Sequence, residues 1–303
     1  MYPDTIPHHQ TWLIRDTLSN GKKVRIYLEC SGNPSGIPVI HLHGGPGDRS
    51  TPDLRTLYDP NAYHIILFDQ RGCGKSTPRL HTEKNTTQDL LGDIEVIREY
   101  VGAEKMVVAG GSWGTSLAML YAQAYPSRVY ALILRGVYDL SDSGLSKYIY
   151  PEEEDKLQSI VGKKTGKSYY QRIDTILSKK TKKRRELISL LSNNAPMYVM
   201  TNPPKDTYST NEAVATICNH YELNHYFVPK RELYKKMYKI KHIPTFMVNG
   251  RYDIVTPSTI AYTMSKLFTH CELTIVPGGH TYHEPAIIKE LVRISDKVKT
   301  MIN

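Results

Sequence analysis

One serine of this sequence, Ser112, stands among glycines at the junction of a β-branched run and a helix-like pattern. The string Gly110-Gly111-Ser112-Trp113-Gly114 fits G-x-S-x-G, which is typical of a sharp turn from a strand into a helix that pushes the serine hydroxyl out of the chain path. Only small residues can flank such a turn without clashing. A glycine-rich turn that merely contains a serine is the alternative, and the rest of the sequence must decide between the two.

A serine hydroxyl needs two partners before it can act as a nucleophile. A base must take its proton, and a third group must fix the tautomer of that base. In α/β hydrolases the three residues follow the chain order serine, acid, histidine, and the last two each follow a late strand. Asp253 follows the strand-like run "TFMVNG", and His280 follows "ELTIVPGG". This order and placement predict a catalytic triad of Ser112, Asp253 and His280.

The oxyanion of an acyl-transfer intermediate needs two backbone N–H donors that are held in place. The N–H of Trp113, the residue after the nucleophile, is predicted to be one of them. The second is expected from the loop "HGGPG" at 43–47. We predict Gly45 as that donor, because glycine lets the backbone come close to a substrate. We assign Gly44 of the same loop to the substrate-binding residues.

The elements that must position these residues alternate between strand and helix patterns. Strand-like runs lead into the glycine loops at 43–47 and 72–74 and into the serine turn. A helical pattern at 86–102 places Leu90, Ile94 and Ile97 on one face. Such alternation predicts an α/β fold of the α/β-hydrolase type, with a mostly parallel sheet covered by helices on both faces. Open sheets of this kind bind ligands at their carboxyl edge, where the triad residues are predicted to lie.

The alternation stops between about 141 and 240 and then resumes. That stretch is charged, tyrosine-rich and mostly helical in pattern, and 192–212 is its only soft segment. The simplest interpretation is one sheet with a helical insertion. The predicted domains are an α/β-hydrolase core at 1–138 and 241–303 and a helical cap domain at 139–240.

Composition and charge exclude several classes of protein. The 303 residues carry a net charge of +9, and the densest basic run is "KKTKKRR" at 179–185. No aromatic residue interrupts that run and no nucleic-acid-binding motif lies near it, so a solvated helix face is the preferred interpretation. No run of 18 apolar residues indicates a membrane span, and the first 16 residues lack the apolar core of a signal peptide. The four scattered cysteines are expected to be free thiols. These features predict a cytoplasmic protein with no membrane and no nucleic-acid partner.

The sequence predicts neither a cofactor nor a metal. The string "GCGKS" at 72–76 is similar to the end of a phosphate loop, but Asp69 stands where that loop needs a glycine. His8 and His9 are too isolated to form a metal site. The oligomeric state is left open.

Several motifs together resemble one family, the proline iminopeptidases, also called prolyl aminopeptidases, which are cofactor-free serine peptidases of the α/β-hydrolase class. The resemblance covers roughly 38–140 and 220–295. The motifs that carry it are "HGGPGD", "DQRGCGKS", "GGSWGTSLAMLYAQAYP", "LRGVY", "NHYF", "HIPTFMVNGRYD" and "GGH".

The resemblance also implies roles for individual residues. Ser112, Asp253 and His280 match the triad of the family, and Gly45 and Trp113 match its oxyanion donors. Glu222 matches a glutamate of the cap that holds the α-amino group of the substrate.

Two further positions match the substrate site of the family: Arg135 matches an arginine there, and Tyr138 matches an aromatic residue near the proline ring. The stretch 141–220 departs from the usual cap, and Cys73 stands where the family has serine. A second amine-binding carboxylate has no clear match, with Glu232 as a weak candidate.

The sequence therefore predicts a serine aminopeptidase that releases N-terminal proline, or a small related residue, from short peptides through an acyl-enzyme. An esterase, amidase or lactonase on the same fold is the nearest alternative. A catalytically silent binding module is the alternative from another class, although such proteins usually lack one triad member.

Overall fold

One sheet organises the molecule, and the strands that carry the predicted site lie at its centre. The computed structural model describes residues 1–140, 151–162, 166–192 and 211–302. Within these ranges eight strands form one sheet in the order β1-β2-β4-β3-β5-β6-β7-β8. The strands are β1 His9–Thr17, β2 Lys23–Gly32, β3 Ile37–Leu42, β4 Tyr63–Phe68, β5 Met106–Gly111, β6 Val129–Arg135, β7 Thr245–Gly250 and β8 Cys271–Val276.

The sheet is parallel except at one edge. β1 pairs antiparallel with β2, and β2 pairs antiparallel with β4. Every other neighbouring pair is parallel. The prediction of a mostly parallel sheet is therefore confirmed. Because β3, β5, β6, β7 and β8 run in the same direction, the loops that follow them meet at one edge.

Helices cover both faces of this sheet, as predicted. α1, α2 and α8 pack on one face together with a large apolar core, whereas α9 and the short 3₁₀ helix Pro52–Leu57 pack on the other. In the described ranges the helices are α1 Thr87–Tyr100, α2 Trp113–Ala124, α3 Pro151–Val161, α4 Tyr169–Leu177, α5 Lys182–Leu191, α6 Glu212–Leu223, α7 Glu232–Lys235, α8 Ser258–Ser265 and α9 Pro285–Ile302.

Local sequence explains where α1 begins and which face it buries. Thr86 caps the helix by accepting a hydrogen bond from the N–H of Asp89, whose carboxylate accepts one from the N–H of Thr86 in return. Leu90, Ile94 and Ile97 are all buried against the sheet. The predicted apolar stripe is thus the face that packs.

One strand is shorter than its apolar run suggested. The run "RVYALILRGVY" at 128–138 reads as a strand throughout, but β6 ends at Arg135. Gly136 follows with φ of +61°, which turns the chain out of the extended conformation. The turn frees the N–H of Val137 from the sheet, and it donates instead to Oδ1 of Asn249 on β7 at 3.0 Å.

The chain between β6 and β7 forms α3 to α7, and these helices divide between two apolar clusters. α3, α4 and α5 surround a small cluster that includes Leu157, Ile173 and Leu187, and α6 contributes Ala215 to it. From Ile217 onward the buried apolar residues belong instead to the large core of the sheet. The predicted soft segment 192–212 lies outside the described residues except at its ends. No helix in the described ranges is long and apolar enough to cross a membrane.

Candidate active site

The backbone of Ser112 occupies a conformation that non-glycine residues rarely adopt. Its φ is +55° and its ψ is −125°, directly between the end of β5 and the start of α2. The N–H of Ser112 donates to the carbonyl of Arg135 at 2.9 Å, and its carbonyl accepts from both the N–H and the hydroxyl of Thr115 at 2.8 and 2.7 Å. Strained backbone of this kind is held by its surroundings and is frequent at catalytic residues.

The glycines around Ser112 are required because the backbone packs without room for side chains. A Cβ on Gly110 would overlap the carbonyl oxygen of Gly114, and a Cβ on Gly114 would overlap the carbonyl oxygen of Leu42. The strand-to-helix turn predicted from G-x-S-x-G is therefore present, and two of its glycines are needed for close approach.

Asp253 and His280 form a buried hydrogen-bonded pair in the loops that follow β7 and β8. Nδ1–H of His280 donates to Oδ2 of Asp253 at 2.8 Å, and the His280 side chain is 3% exposed. Oδ1 of Asp253 also accepts from the N–H groups of Val255 and Thr256 at 2.9 and 2.8 Å. Burial alone would raise the pKa of Asp253, but the nearby His280 and the hydrogen bonds from His280 and Thr256 hold it below the ordinary value. The carboxylate is thus charged and can orient the imidazole.

Thr256 is a member of this arrangement that sequence reasoning missed. Its hydroxyl donates to Oδ2 of Asp253 at 2.9 Å and lies 3.1 Å from Nδ1 of His280. Its carbonyl accepts from Nδ2 of Asn249, a fully buried side chain that also holds Val137. In the sequence, only the position of Thr256 three residues after Asp253 could have indicated this role.

Ser112 and His280 each contact the end of β6. The carbonyl of Arg135 accepts from Ser112, and the next residue, Gly136, faces the imidazole: a Cβ built there would lie 3.1 Å from Cε1 of His280. The described side chains of Ser112 and His280 are not hydrogen-bonded to each other. Such bonds between nucleophile and base are often long without substrate and tighten in the reacting complex.

Arg135 contacts the loops that carry the other two residues. Its Nη1 donates to the carbonyl of His280 at 2.7 Å, and its guanidinium packs over Gly111, where a Cβ would overlap Nη2. The side chain therefore joins the loop of His280 to the turn of Ser112. Burial lowers the pKa of Arg135, partly offset by the charge of Asp253.

The loop 43–47 reaches the serine, as expected for an oxyanion loop. A Cβ built on Gly44 would lie 3.2 Å from Cβ of Ser112 and 3.8 Å from its Oγ, so the backbone of Gly44 faces the nucleophile. Gly45 follows with φ of +107°. Trp113 is the first residue of α2, and the N–H groups of a first helical turn have no acceptor within the helix. The start of α2 and the backbone of Gly44 therefore both lie beside Ser112.

Gln70 ties this loop to Trp113. Its Nε2 donates to the carbonyl of His43 at 2.8 Å, its N–H donates to Nε2 of His43 at 2.9 Å, and its Oε1 accepts from the indole N–H of Trp113 at 3.0 Å. The side chain is 2% exposed. The motif "DQRG" pointed to this residue without indicating its contacts.

Tyr138 is fixed by the first turn of the nucleophile helix. Its N–H donates to Oγ1 of Thr115 at 2.9 Å, and its carbonyl accepts from Oγ of Ser116 at 2.7 Å. Its hydroxyl donates to the hydroxyl of Tyr226 at 3.1 Å. The ring is buried and is therefore held close to the start of α2.

Glu222 is connected to this region through Tyr226. The hydroxyl of Tyr226 donates to Oε1 of Glu222 at 2.6 Å, and the ring of Tyr226 packs on Trp113 with centroids 5.4 Å apart. Tyr170 of α4 also hydrogen-bonds Glu222, and burial together with this carboxylate raises the pKa of Tyr170. The carboxylate is thus partly buried among hydroxyl groups, one ring away from a predicted oxyanion donor.

The arrangement defines a class of protein. A serine on a strained turn, an Asp–His pair and a glycine loop beside the serine, all at the carboxyl edge of a parallel sheet, are typical of the α/β hydrolases. A family model described as the alpha/beta hydrolase fold matches residues 37–286. Among solved structures, an esterase from Thermogutta terrifontis has a TM-score of 0.64 at 18% identity and covers 97% of this chain and 98% of its own.

Closer relatives define the family within that class. A proline iminopeptidase from Neisseria meningitidis serogroup A is 37% identical over 90% of this chain and 92% of its own length. One from Arabidopsis thaliana is 36% identical over 91% of this chain and 77% of its own. The crystal structure of the Mycobacterium smegmatis proline iminopeptidase has a TM-score of 0.62 at 16% identity, over 97% of this chain and all of that one. The chain belongs to the proline iminopeptidase family of the α/β hydrolases, and the resemblance predicted from its motifs is confirmed.

Proposed function

We propose that this chain is a serine aminopeptidase that releases N-terminal proline, or a small related residue, from short peptides. Family membership supports the reaction class, and the placement of Glu222 supports the requirement for a free amine. The contact chain from Glu222 through Tyr226 to Trp113 carries the proposal, since it connects a partly buried carboxylate to the residue after the nucleophile.

We infer the following sequence of steps at the triad. Ser112 Oγ attacks the carbonyl carbon of the first residue while His280 takes the hydroxyl proton. Asp253 holds the ring of His280 and stabilises its cation. The backbone N–H groups of Trp113 and Gly45 bind the oxyanion. His280 then returns the proton to the leaving amine, and water releases the acyl group from the serine by the same steps.

Glu222 supplies the selectivity in this proposal. The substrate carries a protonated α-amine, which needs an anionic partner when it leaves water. A carboxylate at the closed end of the pocket accepts the first residue of a peptide and rejects a blocked or internal one. Tyr138 and Gly44 line the same pocket, and Arg135 acts by holding the loop of His280 against the nucleophile turn.

We further propose that residues 139–240 form a cap domain over a core of 1–138 and 241–303. The apolar cluster of α3 to α5, which Ala215 of α6 joins, supports a separate unit in the first part of this range, while the part from Ile217 onward packs on the core. We also propose a cytoplasmic location. The cytoplasm keeps thiols reduced, which fits the four free cysteines, of which Cys30, Cys73 and Cys218 are buried.

The substitution Glu222→Gln tests the amine site while preserving shape. We expect kcat/KM for a prolyl arylamide to fall by a factor equivalent to about 2 to 5 kcal/mol of transition-state stabilisation. That is the usual cost of removing one partner of a buried charged pair. Hydrolysis of a neutral aryl ester should change less than twofold because that substrate has no amine. Equal losses on both substrates, or none on either, would contradict the assignment.

A further inference from the structure

Three consecutive residues just after α6 have left-handed backbone conformations. His225, Tyr226 and Phe227 have φ of +50°, +55° and +55°. None of them is glycine, so each conformation costs energy that the rest of the fold must offset. Two side chains of α1 hold the turn: Oγ1 of Thr87 donates to the carbonyl of Tyr226 at 2.5 Å, and Nε2 of Gln88 donates to the carbonyl of Phe227 at 2.8 Å.

The turn places the hydroxyl of Tyr226 between Tyr138 and Glu222. The ring of Tyr226 is buried against Trp113 and lies edge-on to Tyr138, with centroids 5.8 Å apart. Its hydroxyl accepts from Tyr138 at 3.1 Å and donates to Glu222 at 2.6 Å. With burial as the main cause, the pKa of Tyr226 is raised well above its usual value. The hydroxyl therefore keeps its proton and serves as a donor to the carboxylate.

A carboxylate that must bind an ammonium group gains affinity when its orientation is fixed beforehand. A short hydrogen bond to Oε1 restrains rotation of the Glu222 carboxyl group, and hydrogen bonds to an ionised group are stronger than neutral ones. The ring that gives this hydrogen bond also packs on Trp113, so the carboxylate and the N-terminus of α2 are held at a fixed separation.

We propose that Tyr226 is a positioning residue for amine recognition, acting through Glu222 and held in place by the left-handed turn at 225–227. The inference rests on the proposed function, because it assigns Tyr226 a task only if Glu222 binds the substrate amine. It gives a role to Tyr226, a residue of the motif "NHYF" to which the resemblance assigned none.

The substitution Tyr226→Phe removes the hydroxyl and keeps the ring. We expect KM for a prolyl arylamide to rise roughly tenfold, equivalent to about 1.4 kcal/mol, with kcat within twofold of wild type. Binding of the amine is made in both the ground state and the transition state, so its loss raises KM rather than lowering kcat. Hydrolysis of a neutral aryl ester should stay within twofold.

A matched control exists on α2. Tyr121 is also buried and also donates from its hydroxyl to a glutamate, Oε2 of Glu95 at 2.8 Å. Tyr121→Phe removes an equivalent hydrogen bond outside the site and should leave both substrates within twofold. If Tyr226→Phe lowers the melting temperature much more than Tyr121→Phe does, Tyr138→Phe is used as the test variant in place of Tyr226→Phe. That variant removes the donor to Tyr226 and should raise KM for the amine substrate about threefold.

A double-mutant cycle with Glu222→Gln distinguishes the inference from the proposed function. In the Glu222→Gln background, Tyr226→Phe should change KM less than twofold, because the group through which it acts is already lost. A KM increase that is the same for arylamide and ester, or one that persists in the Glu222→Gln background, would overturn the positioning role. If Glu222→Gln is selective for the amine substrate but Tyr226→Phe is silent, the inference alone fails. If Glu222→Gln is not selective, the proposed function and the inference fail together.

Discussion

Ser112 combines two properties that a single substitution can separate, a reactive hydroxyl and a strained backbone. Its φ of +55° is set by the turn and not by the hydroxyl. Replacing the side chain therefore removes chemistry without relieving strain, unless the new residue is glycine. The loss of the hydroxyl and the relief of backbone strain can therefore be measured separately at position 112.

For Ser112→Ala we expect kcat to fall by several orders of magnitude with the fold intact, because the nucleophile is lost. For Ser112→Gly we expect the same loss of activity but a free energy of unfolding about 1 kcal/mol greater than that of the alanine variant, since glycine adopts positive φ without steric cost. Chemical denaturation of the two variants measures the difference. Retention of more than about a tenth of wild-type kcat by either variant, or equal stability of the two, would contradict this view of the turn.

The positions of some candidate residues could be predicted from sequence because they follow strand ends. Ser112, Asp253 and His280 each lie just beyond a strand that was visible as an apolar run, and the described structure brings their loops to one edge. Thr256 escaped prediction because its task depends on a contact with His280, 24 residues away. Tyr226 escaped it for a different reason: left-handed backbone is rare for non-glycine residues, and nothing in "NHYF" indicates it.

At the scale of elements, the nucleophile helix is fixed at both ends by buried glutamines. Gln70 connects the loop after β4 to the oxyanion loop and to Trp113 at the start of α2. At the other end, Nε2 of Gln123 donates to the carbonyl of Leu233 in α7 at 2.8 Å. Only Gln70 contacts the residue that follows Ser112, so substitutions at the two glutamines distinguish positioning of the proposed site from general stability.

Gln70→Met should lower kcat roughly tenfold or more while changing KM little, because the donors that stabilise the transition state lose their support. Gln123→Met removes a comparable buried hydrogen bond and should keep kcat within twofold. Steady-state kinetics on both variants, with thermal melting to confirm similar losses of stability, is the required measurement. Equal effects of the two substitutions on kcat would show that Gln70 has no special role in the site.

The elements themselves were more predictable than their ends and their packing. The apolar stripe of α1 and the strand before each glycine loop could be predicted because periodicity reports burial directly. The apolar run of β6 continues to Tyr138, but the strand stops at Arg135 because Gly136 adopts positive φ. That three-residue difference matters, since it turns Tyr138 away from the sheet and toward α2.

For the whole molecule, the insertion between β6 and β7 has two parts with different surroundings. α3 to α5 pack on one another and on Ala215 of α6, while Ile217 and the residues after it share the core of the sheet. Glu222 and Tyr226 belong to the second part. The proposed amine site is therefore joined to the core of the sheet through Tyr226, and Tyr170 of α4 joins it to the first part of the insertion. Sequence patterns predicted an insertion but not this division, because it depends on which helices contact each other.

The most direct measurement of the central claim compares one pair of substrates on the unmodified protein. We expect kcat/KM for a prolyl arylamide to exceed that for its N-acetylated form by at least about a hundredfold. Acetylation removes the positive charge that we propose Glu222 binds and adds bulk at the proposed closed end of the pocket. An alanyl arylamide measured alongside reports how strongly the first residue is selected. Equal kcat/KM for the free and acetylated prolyl substrates would contradict an aminopeptidase.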